Sequence, residues 1–139
     1  MNIIEDFEDM ADIFEYDNDT TYLVNFWATW CGPCVKELPY IEEVKSKLSD
    51  EKFKLIYVSL DFKKHIETRL LPFLDTHKMT SDMYVLLDSD ANSWIDKVDS
   101  GWSGSIPFSV VYKGEEKHTF EQQFHSTEEL LNIIKPLIH

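Results

Sequence analysis

Apolar and polar positions repeat along this chain with two periods, and each switch of period marks a new element. Ile3, Ile4, Phe7, Met10, Ala11 and Phe14 recur every three or four residues with acids between them. That spacing predicts an amphipathic helix packed on a sheet. Asp17, Asn18 and Asp19 are a turn signal. Residues 22–27, Tyr-Leu-Val-Asn-Phe-Trp, are nearly all apolar, as in a central strand covered on both faces. Val35, Leu38, Ile41, Val44 and Leu48 then predict a helix, with Pro39 inside it to kink it or remove a backbone bond. Beyond a loop at Ser49-Asp50-Glu51, residues 53–60 read as a second buried strand through Leu55, Ile56, Val58 and Leu60. Residues 63–77 are helical in pattern, with Pro72 as a break or restart. Residues 83–87 have strand length, and 91–98 form a short helix carrying Trp94 and Val98. Residues 108–112 and 117–120 flank Lys113-Gly114-Glu115 as a hairpin. Ser126 and Glu129 make a capping box that opens a last helix through Leu130, Leu131, Ile134 and Ile138. Strands alternating with helices, then a hairpin and a helix, are an α/β pattern. The 139 residues show no repeat or linker, which predicts one domain over residues 1–139.

Charge narrows the partners. With 26 acidic and 13 basic residues the formal net charge is −13. Phosphate backbones would be repelled, so nucleic acid is not expected as a partner, nor is an anionic membrane surface. Solubility is the ordinary reading of such acidity. No stretch has 18 consecutive apolar residues, so direct membrane insertion of this segment is not expected. The acidic start, Met1-Asn2-Ile3-Ile4-Glu5-Asp6, lacks the basic-then-apolar layout of a signal peptide. Either the protein works in the cytoplasm, or an export signal or anchor upstream of Met1 has been removed.

The chemistry is concentrated in residues 27–39, Trp-Ala-Thr-Trp-Cys-Gly-Pro-Cys-Val-Lys-Glu-Leu-Pro, which hold both cysteines. A strand precedes this stretch and a helix follows it. Cys31 is therefore expected at a helix N-terminus, where free N–H groups and the helix dipole favour a thiolate. That position lowers a thiol pKa from about 8.5 into a range of roughly 3.5–7.5. Pro33 suits the first helical turn, where its missing N–H had no partner. Cys34, one turn in, is expected to be more buried and placed to attack a mixed disulfide on Cys31. A zinc half-site is the first alternative, but zinc takes about four ligands. There is no second cysteine pair, and His65, His77, His118, His125 and His139 show no pairing in sequence, so no metal is expected. A purely structural disulfide is the second; so small a loop adds only about 2 kcal/mol in the chain-entropy model. Thiol redox chemistry and metal delivery remain.

At these residues the chain resembles the thioredoxin superfamily, and more narrowly the TlpA/ResA-like thiol-disulfide oxidoreductases. Phe26-Trp27-Ala28-Thr29-Trp30-Cys31-Gly32-Pro33-Cys34 followed by Lys36-Glu37-Leu38-Pro39 is close to that group's signature. Ser105-Ile106-Pro107-Phe108, before Ser109-Val110-Val111-Tyr112, is the second landmark. The resemblance covers roughly residues 22–137. It implies a thioredoxin-like fold, a central mixed sheet flanked by helices, with the TlpA/ResA-type insertion between Asp61 and Leu87. It also implies a cis bond at Pro107 facing the disulfide, with the backbone of Ile106 open to pair with substrate. Trp30, Gly32, Pro33, Ile106 and Pro107 become the expected substrate-binding residues. The redox-active disulfide is then the only cofactor expected.

Thioredoxins proper carry a buried aspartate on the strand before the motif. Asn25 stands there and cannot titrate. Glu37 matches the glutamate the TlpA/ResA group has after its motif and is the expected proton acceptor for Cys34. A Gly-Pro pair between the cysteines resembles reducing members, so a disulfide reductase is expected; the TlpA/ResA resemblance implies that it works in the periplasm or cell envelope, in a cytochrome c maturation-like or general role. Its partners would be protein thiols and disulfides and an upstream electron-donor protein, with a monomer favoured. The alternatives are a cytoplasmic thioredoxin and a thioredoxin-fold copper delivery protein. Trp27 is expected in the core. Trp94 and Trp102 are open between packing and lining the groove, and Asp61 between a helix cap and an approach to the site.

Overall fold

The computed structural model describes residues 1–138, so His139 lies outside the described residues. Six strands form one sheet: β1 (Asn2–Ile4), β2 (Thr21–Trp27), β3 (Phe53–Ser59), β4 (Asp82–Leu86), β5 (Phe108–Lys113) and β6 (Glu116–Phe120). Their spatial order is β1-β4-β3-β2-β5-β6. β1, β4, β3 and β2 run parallel; β5 and β6 are antiparallel to their neighbours. Four α-helices cover the sheet: α1 (Gly32–Lys47), α2 (Leu71–Thr76), α3 (Ala91–Val98) and α4 (Thr127–Ile134). This is a mixed α/β thioredoxin-like fold. Between Asp61 and Leu87, where the insertion is expected, the chain forms short turns, α2 and β4, and β4 lies between β3 and β1.

β2 explains the layering. All seven of its residues are buried, and successive side chains point to opposite faces. Leu23 and Trp27 join α1, α4 and residues 66–70 in one core. Tyr22, Val24 and Phe26 join α3, Trp102 and the N-terminal turns in the other. β3 splits the same way, with Leu55 and Tyr57 on the first face and Ile56 and Val58 on the second. A strand packed on both faces has no polar alternation to show, which is why it reads as one apolar run.

The N-terminus differs from its expected form. Instead of one helix over residues 3–14, the chain forms β1 and two 3₁₀ turns, Phe7–Asp9 and Ala11–Phe14. The buried residues Phe7, Met10 and Ile13 are three apart, the period of a 3₁₀ helix. Ile3 and Ile4, both β-branched, pair with Val85 and Leu86 of β4 instead. Asp6 caps the first turn by accepting from the Glu8 N–H at 3.0 Å. Residues 63–76 are likewise broken into a 3₁₀ turn (Lys63–His65), a π turn (Ile66–Leu70) and α2, whose first turn holds Pro72.

At the C-terminus, Ser126 Oγ accepts from the Glu129 N–H at 3.1 Å. Glu129 reaches back to the N–H of His125 at 3.1 Å, one residue short of a reciprocal box. Ser126→Ala is expected to cost about 1 kcal/mol, read as a lower urea midpoint with an unchanged slope.

Candidate functional site

The two cysteines sit where β2 hands over to α1. Cys31 is the N-cap of α1, in extended conformation, and its Sγ accepts from the Cys34 N–H at 3.3 Å. The two are joined in a disulfide with Cα atoms 5.2 Å apart. Cys34 is fully buried, whereas Cys31 keeps 6 % of its surface exposed. Only one of the two sulfurs is therefore offered to a partner. Gly32 and Pro33, between them, are exposed.

Glu37 lies one turn beyond Cys34 on the buried side of α1, with no exposed surface. Its carboxylate is held by two donors: Asn25 Nδ2 to Oε2 at 2.9 Å and the Phe124 N–H to Oε1 at 2.9 Å. Asn25 Nδ2 also donates to Ser109 Oγ at 3.0 Å, while Asn25 Oδ1 is buried without a partner among the described residues. Burial pushes the Glu37 carboxyl up from 4.5 to about 7, with the two hydrogen bonds pulling the other way. A buried acid that titrates near neutrality can take up and release a proton under physiological conditions.

The third component is the loop before β5. Its Ile106–Pro107 peptide bond is cis, and the Ile106 carbonyl oxygen lies 3.8 Å from Cys31 Sγ. Pro107 is buried and Ile106 half-buried. Two devices hold this loop. Trp102 stacks on Phe108 with ring centroids 4.2 Å apart, and its Nε1 donates to the Ser105 carbonyl at 2.8 Å. The Glu121 carboxylate, just past β6, accepts from the Ser103 N–H at 2.8 Å, Ser103 Oγ at 2.5 Å and Ser105 Oγ at 2.7 Å. Those bonds hold the Glu121 carboxyl below its ordinary range.

Trp30 is 47 % exposed beside Cys31, and its ring stacks on Phe62, centroids 6.3 Å apart. Trp27, Trp94 and Trp102 are all packed in the interior. Asp61 is neither a helix cap nor solvent-facing. Buried at the end of β3, it accepts from the Thr29 N–H at 3.1 Å, Thr29 Oγ1 at 2.5 Å and Ser59 Oγ at 2.6 Å. It thus fixes the turn that presents Trp30 and Cys31. Sequence reasoning did not find the roles of Asn25, Phe62, Ser103, Ser105 and Glu121. For Asn25 a signal existed, a polar residue inside an otherwise apolar strand. For the others nothing in the local pattern separated them from ordinary surface positions.

Comparison with known proteins finds that residues 6–72 match the thioredoxin family model. Over 58 residues the chain is 36 % identical to the thioredoxin-like protein YneN of Bacillus subtilis, covering 42 % of this chain and 34 % of that protein. It is 33 % identical over 58 residues to the thiol-disulfide oxidoreductase ResA of Oceanobacillus iheyensis, covering 42 % of this chain and 29 % of that one. These matches span about a third of the relatives' length. Among solved structures, a thiol:disulfide interchange protein of the thioredoxin family from Chlorobium tepidum superposes with a TM-score of 0.70 at 21 % identity, over 86 % of this chain and 80 % of that chain. At that identity the likeness concerns the fold.

Proposed function

We propose that this chain, which has a thioredoxin-like fold and matches the thioredoxin family model over residues 6–72, is a thiol-disulfide oxidoreductase of the TlpA/ResA type working on protein disulfides, in the reducing direction. The observation that carries this reading is the asymmetry of the pair. Cys31 keeps a little exposed surface at a helix N-terminus, and Cys34 is sealed one helical turn before a buried carboxyl pushed up to about 7.

In the reduced protein the Cys31 thiolate attacks one sulfur of a partner disulfide. A Cys31–partner bond forms, and the other partner sulfur leaves as a thiolate that takes a proton from water. Cys34 gives its proton to Glu37 and attacks Cys31 Sγ. The Cys31–Cys34 bond forms, and the second partner sulfur leaves as a thiolate that takes up the proton passed to Glu37, directly or through water. Two electrons pass to the partner, which ends as a dithiol. An upstream donor protein restores the Cys31 and Cys34 thiols by the reverse sequence. Gly32 and Pro33 leave the approach to Cys31 open, and the backbone of Ile106 beside Pro107 pairs with an extended partner segment. The site asks for no further cofactor or metal. An extracytoplasmic setting, periplasm or cell envelope, belongs to the same proposal. The likeness to ResA supports the setting, and the Gly-Pro pair supports the reducing direction. Among the described residues no helix is long and apolar enough to cross a membrane.

The direction is tested by the equilibrium potential of the Cys31–Cys34 couple against glutathione. A value near −270 mV or below marks a reductase; one near −120 mV marks an oxidase and overturns this assignment. Glu121 supplies a separate check on how the substrate is held. Without its carboxylate the two serines lose their anchor and the Ile106 backbone loses its fixed position. Glu121→Ala is expected to raise KM for a peptide disulfide by roughly three- to tenfold while kcat changes less. Steady-state kinetics in which kcat alone fell would contradict that role.

A further inference from the structure

The surface beside Cys31 carries an exposed aromatic pair. Trp30 is 47 % and Phe62 57 % exposed, and their rings stack at 19°. Large apolar side chains left in water next to a reactive group mark a contact surface. The segment continuing from Phe62 runs against the acidic balance of the chain as a whole. Residues 62–69 hold Lys63, Lys64 and Arg69 against one acid, Glu67, a formal +2. The remaining residues hold 10 basic and 25 acidic side chains, a formal −15. Lys63 lies 3.8 Å from Glu5, both largely exposed. Lys64 and Arg69 make no ion pair among the described residues.

Arg69 is the chain's single arginine. It borders a depression of about 340 Å³ with Thr29, Pro72, Phe73 and His77, and the His77 ring stacks on Phe73 at 3.9 Å. Thr29 is the residue that Asp61 fixes, two positions before Cys31. A guanidinium on the wall of a partly apolar depression that also borders Thr29 fits a carboxylate side chain of a bound segment.

We propose that the shoulder made by Trp30, Phe62, Lys64 and Arg69 docks an acidic stretch of the partner protein flanking its disulfide. The inference rests on the exchange reading and names the chemistry of its substrate. Charge complementarity carries it. A partner with an acidic segment is repelled by the net charge of the rest of the molecule and attracted to this shoulder, which aims its disulfide at Cys31. A basic partner would be attracted almost everywhere else and gains no such orientation.

The test uses the fully reduced protein in single turnover against three substrates. Two are synthetic peptides with the same intramolecular disulfide, flanked either by glutamates or by lysines. The third is the neutral 2-hydroxyethyl disulfide. At low ionic strength the acidic peptide is expected to react about tenfold faster than the basic one, although the chain's net charge alone favours the reverse order. Salt at 0.5 M is expected to erase most of that difference by screening, and Lys64→Glu with Arg69→Glu to abolish or invert it. The salt series on the unaltered protein stands even if the double variant does not fold. Equal rates for the two peptides, or a faster basic peptide, overturn the docking surface and leave the exchange reading intact. Failure of all three substrates to react overturns the exchange reading and the docking surface with it.

Discussion

Cys34→Ser is expected to halt the reaction halfway, with the partner trapped on Cys31. The second step is fast because the attacking sulfur is already in place: the Cys31 and Cys34 Cα atoms are 5.2 Å apart in one helical turn. Groups held in this way reach effective concentrations of about 10⁵ M or more. Removing Cys34 leaves only external thiol to release the partner, so turnover is expected to fall on the order of 10³-fold or more. The trapped species appears as a higher-mass band on a non-reducing gel and disappears with reductant. Cys31→Ser should give neither turnover nor trapped species, because Cys34 has no exposed surface. If Cys34→Ser turned over normally, or if Cys31→Ser trapped substrate equally well, the assignment of attacking and resolving sulfurs would be wrong.

The second large effect concerns pH. The Glu37 carboxyl is raised from 4.5 to about 7 in the folded protein, chiefly by burial. Between those values the folded chain keeps a proton that the unfolded chain gives up. Stability must therefore fall as pH rises through this window, and it levels off above about 7. A shift of this size corresponds to about 3 kcal/mol. Glu37→Gln has no such proton. Its amide nitrogen replaces one acceptor, so either the Asn25 amide turns its oxygen to meet it or one donor goes unpaired, at a cost of up to about 1–3 kcal/mol that is the same at every pH. Subtracting the variant's unfolding free energy from that of the parent should thus give a difference that declines by about 3 kcal/mol from pH 4 to pH 8. Urea titrations at several pH values measure it, and a flat difference would refute the raised pKa. In kinetics the same substitution is expected to slow the resolving step and flatten its dependence on pH near 7. An unchanged pH profile would remove Glu37 from the mechanism.

The elements that could be read from the residues were those whose packing imposes one period. β2, β3 and α1 are long and face a core on every turn, so their patterns are strong. Strand order was not legible, because pairing β1 with β4 joins residues about eighty positions apart and no local signal encodes it. The N-terminal turns were misread because a spacing of three fits 3₁₀ and α geometry alike over one or two turns. Glu37 was reached through its resemblance to a known motif. Its contact with Asn25 follows only once β2 and α1 are known to face each other, since Asn25 shares the face of Leu23 and Trp27. Asp61 resembled a helix cap because it precedes a helical segment; its bonds run backwards to Thr29 and Ser59 instead. Glu121 sits on the surface after a hairpin, where an acid is unremarkable until the serines that bind it are brought alongside.

Asn25 bears on how a charge changes inside a sealed interior. Its amide is two-faced: turned half a revolution about the Cβ–Cγ bond, it offers oxygen where it had offered nitrogen. Ionised Glu37 needs a donor at that spot, and protonated Glu37 needs an acceptor for its O–H. The Ser109 hydroxyl can follow either orientation. One side chain therefore suits both states of the acid, and Oδ1, idle in the arrangement seen here, is the atom held in reserve. An aspartate at this position would set a second carboxylate against the first and compete with it for the same proton.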